Sequence, residues 1–401
     1  MPLNINSHMQ EDNSIPLFRL AFRPLFLFGT LFAVVAISWW VHFWLQPSGW
    51  LPYGGHIFWH AHEMLFGFGM AIVAGFLLTA VKAWTGVPTI TGSLLALFFL
   101  LWLAGRILMS VDIGAPAWFI AVIDVSFMLI AAAAMGYPIV KVKQWRNLMF
   151  IPIMLAFASL NAISHWAVAT NDFAFAMQAL HTTVIVLVLI IAILGGRVIP
   201  AFTANGTGRQ AKRNIQWLET VSIVSIIFCA LIALTGFDNV PSILLLVASL
   251  IAAASNGYRF ARWGIEYTIS TPLLWSLHFS FIFIPLGFLM LALQSLGMVA
   301  SISAALHCFT VGAMGGMILA MISRVTLGHT GRNLIPPKLL SVAYISIILA
   351  TLIRVTLPAW LPEYYQMSIR ISGILWVLAF VIYLFFYAPM LVTRRIDGRP
   401  G

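Results

Sequence analysis

The sequence has few charged residues and almost no cysteine. Charged side chains make up 8% of its 401 residues, and 21 Lys and Arg outnumber 11 Asp and Glu. With a mean hydropathy of +1.00, such a chain cannot give soluble domains a polar surface, which excludes an ordinary soluble protein. Its two cysteines, Cys229 and Cys308, form no CxxC pair, so we expect two small apolar residues and no disulfide framework.

Long apolar runs fill most of the chain. Segments of about twenty apolar residues match the roughly 30 Å of hydrocarbon that a transmembrane helix must cross, and they are too continuously apolar for barrel strands. The sequence therefore predicts an all-α integral membrane bundle of about 12 transmembrane helices in a single polytopic domain, 1–401. The twelve segments begin near Pro24, Ile57, Gly92, Pro116, Leu148, Phe173, Trp217, Pro241, Thr271, Val299, Pro337 and Ile369.

The basic residues predict the orientation, because short cytoplasmic loops retain Lys and Arg. With both termini cytoplasmic, eighteen of the 21 basic residues lie on the inner side, and Arg106, Arg354 and Arg370 lie on the outer side. The net charge of +10 is then explained by basic residues that face anionic lipid on the inner side, and it does not require binding to nucleic acid. We expect residues 1–15 to be a polar cytoplasmic tail without a removable signal peptide, and 197–216 to be the longest cytoplasmic loop.

The histidines are the main clue to function. Seven of the ten map to the outer third of the predicted membrane: His42, His56, His60, His62, His165, His181 and His307. A histidine in hydrocarbon needs a proton partner or a metal, because unpaired ring nitrogens are costly there. The remaining three, His8, His278 and His329, lie in the tail or toward the inner side.

Helices 2, 6 and 10 each carry a histidine at similar depth. His181 follows His62 by 119 residues, and His307 follows His181 by 126. The spacing suggests three four-helix repeats. In architecture this resembles the catalytic subunits of the haem-copper oxidases and nitric oxide reductases, although helix 7 lacks the adjacent pair of copper-binding histidines expected of that superfamily.

Four motifs resemble the NnrS family more closely. They are the stretch from Pro16 to Pro24, the Trp59–Met64 block WHAHEM, the Gly195–Thr203 block GGRVIPAFT, and the Ser323–Arg332 block SRVTLGHTGR. The resemblance implies a haem- and copper-containing protein of the bacterial inner membrane, linked to denitrification and to protection from nitric oxide and nitrosative stress.

Haem iron and copper both accept neutral imidazoles that point inward from facing helices. We predict His62, His181 and His307 as ligands of haem b, and His56 and His60 as ligands of copper or another second metal. His60 and His62 point about 200° apart on a helix and so would serve different centres, whereas His56 and His60 share a face. The alternative for each is a hydrogen-bonded packing histidine.

Two acidic residues are candidates for catalysis. Glu63 follows the paired histidines and could orient an imidazole or pass protons to a bound substrate. Asp124 lies inside helix 4, where an unpaired carboxylate is expensive. Four methionines flank the predicted site as copper(I) ligands or as packing residues: Met177, Met314, Met317 and Met321.

Two functions from different classes follow. The first is an oxidoreductase that reduces nitric oxide to nitrous oxide with electrons from quinol or another small donor. The second is a protein that handles metal or haem, binds nitric oxide without turnover, or transports a solute. Against transport, few charged residues lie at the predicted midplane and no inverted repeat is evident. A monomer is consistent with either.

Overall fold

The computed structural model describes residues 15–47, 49–210, 212–299 and 301–399, and within these ranges the regular structure is helical. Twelve helices are long and apolar enough to cross a membrane, which confirms the predicted fold class. The connection after the sixth begins only beyond Thr207, so it is shorter than the predicted 197–216 loop. The twelve membrane-spanning helices are α1 Phe22–Leu45, α2 His56–Thr85, α3 Gly92–Ser110, α4 Ala117–Lys141, α5 Trp145–Ala169, α6 Phe173–Thr207, α7 Gln216–Thr235, α8 Ser242–Tyr267, α9 Pro272–Ser295, α10 Ile302–His329, α11 Leu340–Trp360 and α12 Pro362–Val392.

The surface of the bundle is suited to lipid. Large apolar side chains such as Leu97, Val224 and Phe385 are more than half exposed on the outer helices. In contrast, α2, α6, α9 and α10 are mostly buried. Because lipid is as apolar as a protein core, the central helices are distinguished by the polar groups they carry rather than by greater hydrophobicity. The polar chemistry of α2, α6 and α10 therefore lies inside the bundle.

Local signals set the helix ends. The Asp172 side chain accepts a hydrogen bond from the Phe175 backbone N–H and caps α6, and Ser301 accepts one from the Ser303 N–H to cap α10. Gly86 and Gly208 have a φ of 69°, a left-handed conformation that stops α2 and α6.

Two of the buried helices contain π-helical turns at matching places. In α2 the segment Glu63–Gly69 follows His62 directly, and in α10 the segment Cys308–Gly315 follows His307 directly. A π turn inserts an extra residue and changes the direction of the side chains beyond it, and such turns are frequent at functional sites. The Trp102 indole N–H donates to the Gly67 carbonyl within the first segment, which satisfies one group of the irregular backbone.

Candidate functional site

Three of the predicted histidines meet in one central cavity. The cavity measures about 330 Å³ and lies between α1, α2, α6, α10, α11 and α12. His60, His181 and His307 line it, one from each of the helices that carry the spaced histidines. The thioethers of Met64, Met177 and Met314 also lie on its walls. Imidazole and thioether donors from several helices therefore converge on one space.

His307 is oriented by its own helix. The Nδ1–H of His307 donates to the Ser303 carbonyl oxygen over 2.7 Å. Because that bond fixes the proton on Nδ1, a neutral ring carries its lone pair on Nε2. Metal-binding histidines commonly use such a bond to fix their tautomer, so His307 is prepared to be a ligand.

The His60 ring is held by stacking. Its ring lies on the Trp40 indole, with centroids 4.3 Å apart and planes within 9°. The His307 ring is nearly parallel at 6.4 Å, so one group bound between the two histidines would touch both. Nδ1 of His60 is buried without a hydrogen-bond partner among the described residues. An unpaired polar atom in such a place indicates that something else binds there.

A guanidinium lies in the same cavity. Arg354 of α11 is 7% exposed, and its Nη1 has no partner among the described residues. Its Nη2 lies 3.5 Å from the Tyr365 hydroxyl, a long contact with a neutral group. A buried cation without an anion is costly, so the cavity suits a ligand that carries a negative group, as the propionates of haem do.

His62 lies on the other side of α2, in a cluster of charged and polar side chains. We call this the charged cluster; it comprises His62, Glu63, Arg106, Asp124, Asn161 and His165, all of them buried. The structure thus separates His62 from His181 and His307, because residues two apart on a helix face in different directions.

Arg106 is the centre of the ion pairs in the charged cluster. Its guanidinium bonds the Asp124 carboxylate and lies 2.9 Å from Oε1 of Glu63. His62 lies 3.0 Å from the same Glu63 oxygen through Nδ1 and 2.8 Å from Oδ1 of Asn161 through Nε2. Both ring nitrogens face acceptors, which is the pattern of a doubly protonated ring. The cations of His62 and Arg106 would then balance the carboxylates of Glu63 and Asp124.

The donor atoms of His62, Asp124 and His165 all lie within 4.8 Å of one another, which is close enough for a metal ion. However, Oδ2 of Asp124 accepts from Asn161 at 2.6 Å and lies 3.2 to 3.3 Å from the two imidazoles. With Arg106 on the other carboxylate oxygen, hydrogen-bond donors already surround Asp124. The contacts favour a hydrogen-bonded ion network over a metal ion at this place.

Several polar atoms around the charged cluster have no partner among the described residues. They are Oε2 of Glu63, Nε of Arg106, Nδ1 of His165 and the hydroxyl of Tyr53. Tyr53 precedes α2, and its ring lies 5.4 Å from that of His165. Burial, together with the nearby Asp124 carboxylate, raises the pKa of Tyr53 to about 12, so the phenol keeps its proton at neutral pH. Buried groups of this kind are commonly bridged by ordered water, which can carry protons.

The other histidines lie apart from the cavity. His56 does not join His60: its Nε2 lies 2.5 Å from the Trp50 carbonyl oxygen, and its ring stacks on Phe43. His42 packs against Trp39, and His278 pairs with the Thr203 hydroxyl at 2.9 Å. The His329 ring packs against that of Phe22, and His8 lies outside the described residues.

Sequence reasoning did not identify Asn161, and it named Arg106, Arg354 and Arg370 together as outer arginines that haem propionates could face without choosing among them. One signal was available: Arg106 follows His62 by 44 residues, and Arg354 follows His307 by 47. Each arginine lies on the helix after its histidine and close to the same site. No spacing could have identified Asn161, whose role depends on the approach of α5 to α2.

A family model described as NnrS protein matches residues 16–395. No curated protein matches the chain. The family is associated with nitric oxide and with metal or haem binding, in agreement with the histidine cavity in a multi-pass membrane bundle. Because the match covers nearly all of the sequence, the chain belongs to the NnrS family.

Proposed function

We propose that this protein binds haem b in the histidine cavity and reduces nitric oxide to nitrous oxide there. The observation that carries the proposal is that His60, His181, His307 and the cation of Arg354 line one cavity. We therefore replace His62 by His60 in the ligand set predicted from the sequence.

The residues have separate tasks in this proposal. His60, His181 and His307 supply neutral imidazole donors, and Arg354 pairs with a propionate. When bound, the haem iron would supply a site for nitric oxide and a path for electrons. Most of the other side chains on the walls are apolar, and Ser303 keeps the proton of His307 on the nitrogen that does not bind metal.

Reduction of two nitric oxide molecules consumes two electrons and two protons and yields one nitrous oxide and one water. We assign proton transfer to Glu63, with Asp124 orienting the hydrogen-bond donors around it. Support comes from the free oxygen of Glu63 and from the unpaired polar atoms of His165 and Tyr53 nearby, which suit a hydrated path. Helix α2 lies between the charged cluster and the cavity, so Glu63 would relay protons toward the site through its partner-free oxygen, and Asp124 would hold the neighbouring side chains in place rather than act as a ligand.

We place the protein in the bacterial inner membrane with the histidine end outward. This rests on the distribution of basic residues, since the loops at the opposite end carry most of the Lys and Arg. The electron donor is quinol from the membrane or another small reductant.

The test is spectroscopic and kinetic. Purified protein should show a Soret band and sharp α and β bands on reduction, and it should convert nitric oxide to nitrous oxide anaerobically with an electron donor. Bound haem without turnover of nitric oxide would indicate a haem-binding protein and would exclude the reductase activity. A colourless, fully folded protein after expression with abundant haem would remove the whole proposal.

Matched variants locate the site. His60→Ala, His181→Ala and His307→Ala should each lower the ratio of haem to protein or shift the Soret band. His278→Ala is the control, because that buried histidine bonds Thr203 and does not line the cavity. Equal spectra in all four variants would contradict the ligand set.

One observation favours a second function, copper binding without turnover. Met64, Met177 and Met314 offer soft thioethers beside the imidazoles, a donor set that suits copper(I). Metal analysis of wild type beside Met64→Leu and Met177→Leu distinguishes the two, because the substitution conserves volume and removes sulfur. Stoichiometric copper that disappears in the Leu variants, in protein without haem, would favour metal handling.

A further inference from the structure

A second cavity adjoins the histidine cavity and differs from it in chemistry. It measures about 80 Å³ and lies between α1, α2, α6 and α10. Apolar side chains form its walls, among them Phe26, Ile72, Leu187, Ile190 and Ile318. Met314 lines both cavities, so one side chain is their shared wall.

The second cavity is too apolar for water. A buried water needs two to four polar partners, whereas this lining offers apolar groups. Apolar cavities in proteins stay dry and accept xenon or small hydrocarbons. A volume of about 80 Å³ is large enough for a diatomic gas or one xenon atom.

The shared wall is formed where the two π segments meet. A Cβ built on Gly69, in the π segment of α2, would lie 3.3 Å from the sulfur of Met314, in the π segment of α10. The glycine therefore leaves space for the Met314 thioether. Methionine is unbranched and flexible, so this wall can move without disturbing the helices.

We propose that the second cavity is a binding site for a small apolar gas molecule next to the histidine cavity. That the gas is nitric oxide rests on the proposed function. Nitric oxide is uncharged and nearly apolar, so a dry cavity concentrates it as the surrounding lipid does. Each turnover uses two molecules of nitric oxide. A second molecule held beyond Met314 would shorten the time between binding of the first molecule and formation of the N–N bond.

Xenon is the probe for the site, since it binds apolar cavities without any redox chemistry. Crystals of the protein pressurised with xenon should show an atom between Ile190 and Met314. Ile190→Phe should remove that atom, whereas Ile251→Phe, the same change on the lipid-facing side of α8, should retain it. Since Ile190→Phe can overpack the core, Val73→Leu on the same cavity wall is a smaller second test.

Kinetics give an independent readout. In folded variants with wild-type cofactor content, Ile190→Phe and Val73→Leu should lower kcat/KM for nitric oxide several-fold and leave kcat unchanged. An empty cavity in the xenon experiment, or a lipid chain filling it, would overturn the inference. So would wild-type kcat/KM in the filled variants.

The two proposals fail separately. Xenon binding without any nitric oxide turnover would remove the reductase and leave the gas site in place. Turnover without xenon binding would remove the gas site alone.

Discussion

Replacing His60 and His62 one at a time should have opposite effects on stability and on cofactor content. The two residues are neighbours in sequence, but His60 faces the histidine cavity and His62 lies in the charged cluster. His62→Ala leaves Glu63, Asp124 and Arg106 buried with incomplete partners. Breaking a buried charge network by removing one member costs about 3–5 kcal/mol. His60→Ala chiefly loses its stacking on Trp40, worth about 0.5–1.5 kcal/mol.

The assay measures two quantities on each variant. The free energy of unfolding is followed by circular dichroism on protein without cofactor, because a bound cofactor would add its own stabilisation. The ratio of haem to protein is measured on the fraction that elutes as folded protein. We expect His62→Ala to lose most stability and keep haem, and His60→Ala to lose haem and keep most stability.

Two results would refute this reasoning. One is a folded His62→Ala protein without haem, since His62 would then act as a ligand. The other is equal destabilisation by the two changes, since the charged cluster would then contribute no more than a stacked ring. Asn161→Ala serves as a companion, because it removes a neutral member of the cluster, whose side chain bonds His62 and Asp124, and leaves the cavity untouched.

Three further predictions concern single residues. Arg354→Gln should weaken haem retention measured by transfer to apomyoglobin, whereas Arg370→Gln, exposed and outside the cavity, should not; equal rates would remove Arg354 from the site. Gly67→Ala should lower the melting temperature strongly, because its Cβ would lie 2.8 Å from Cε1 of Phe32 and 2.6 Å from Nη1 of Arg106, which is paired with Glu63; Gly257→Ala, with its nearest contact at 3.7 Å, should have little effect. Tyr53 should add no pH dependence to the free energy of unfolding between pH 6 and 9. Its pKa is raised from about 10 to about 12 in the folded protein, so folding favours the protonated phenol, and this contribution to stability is lost only as the pH rises above about 10. A change in stability between pH 6 and 9 that Tyr53→Phe abolishes would contradict this.

The helices and their number were predictable from the sequence. Segments of about twenty apolar residues have one stable form in hydrocarbon, because a spanning backbone must satisfy its own hydrogen bonds. The predicted starts near Gly92 and Phe173 agree with the structure, and the largest difference is at the last helix, predicted from Ile369 and observed from Pro362. Charge and proline around Tyr364 made that end resemble a loop, and in the structure Pro362–Tyr364 form a 3-10 turn that leads into the α-helix Tyr365–Val392.

The sequence also pointed to the histidines as the residues to consider for a site, because polar rings within apolar segments are conspicuous by residue type. What the sequence by itself determined was the helical bundle and the motifs of the family. Which rings share a space was decided by the tertiary structure: the rotation of α2 directs His60 to the cavity and His62 to Arg106 and Asp124. Helix rotation depends on packing against several neighbours at once, and a period of 3.6 residues fixes only the angle between two side chains, not the direction that either faces.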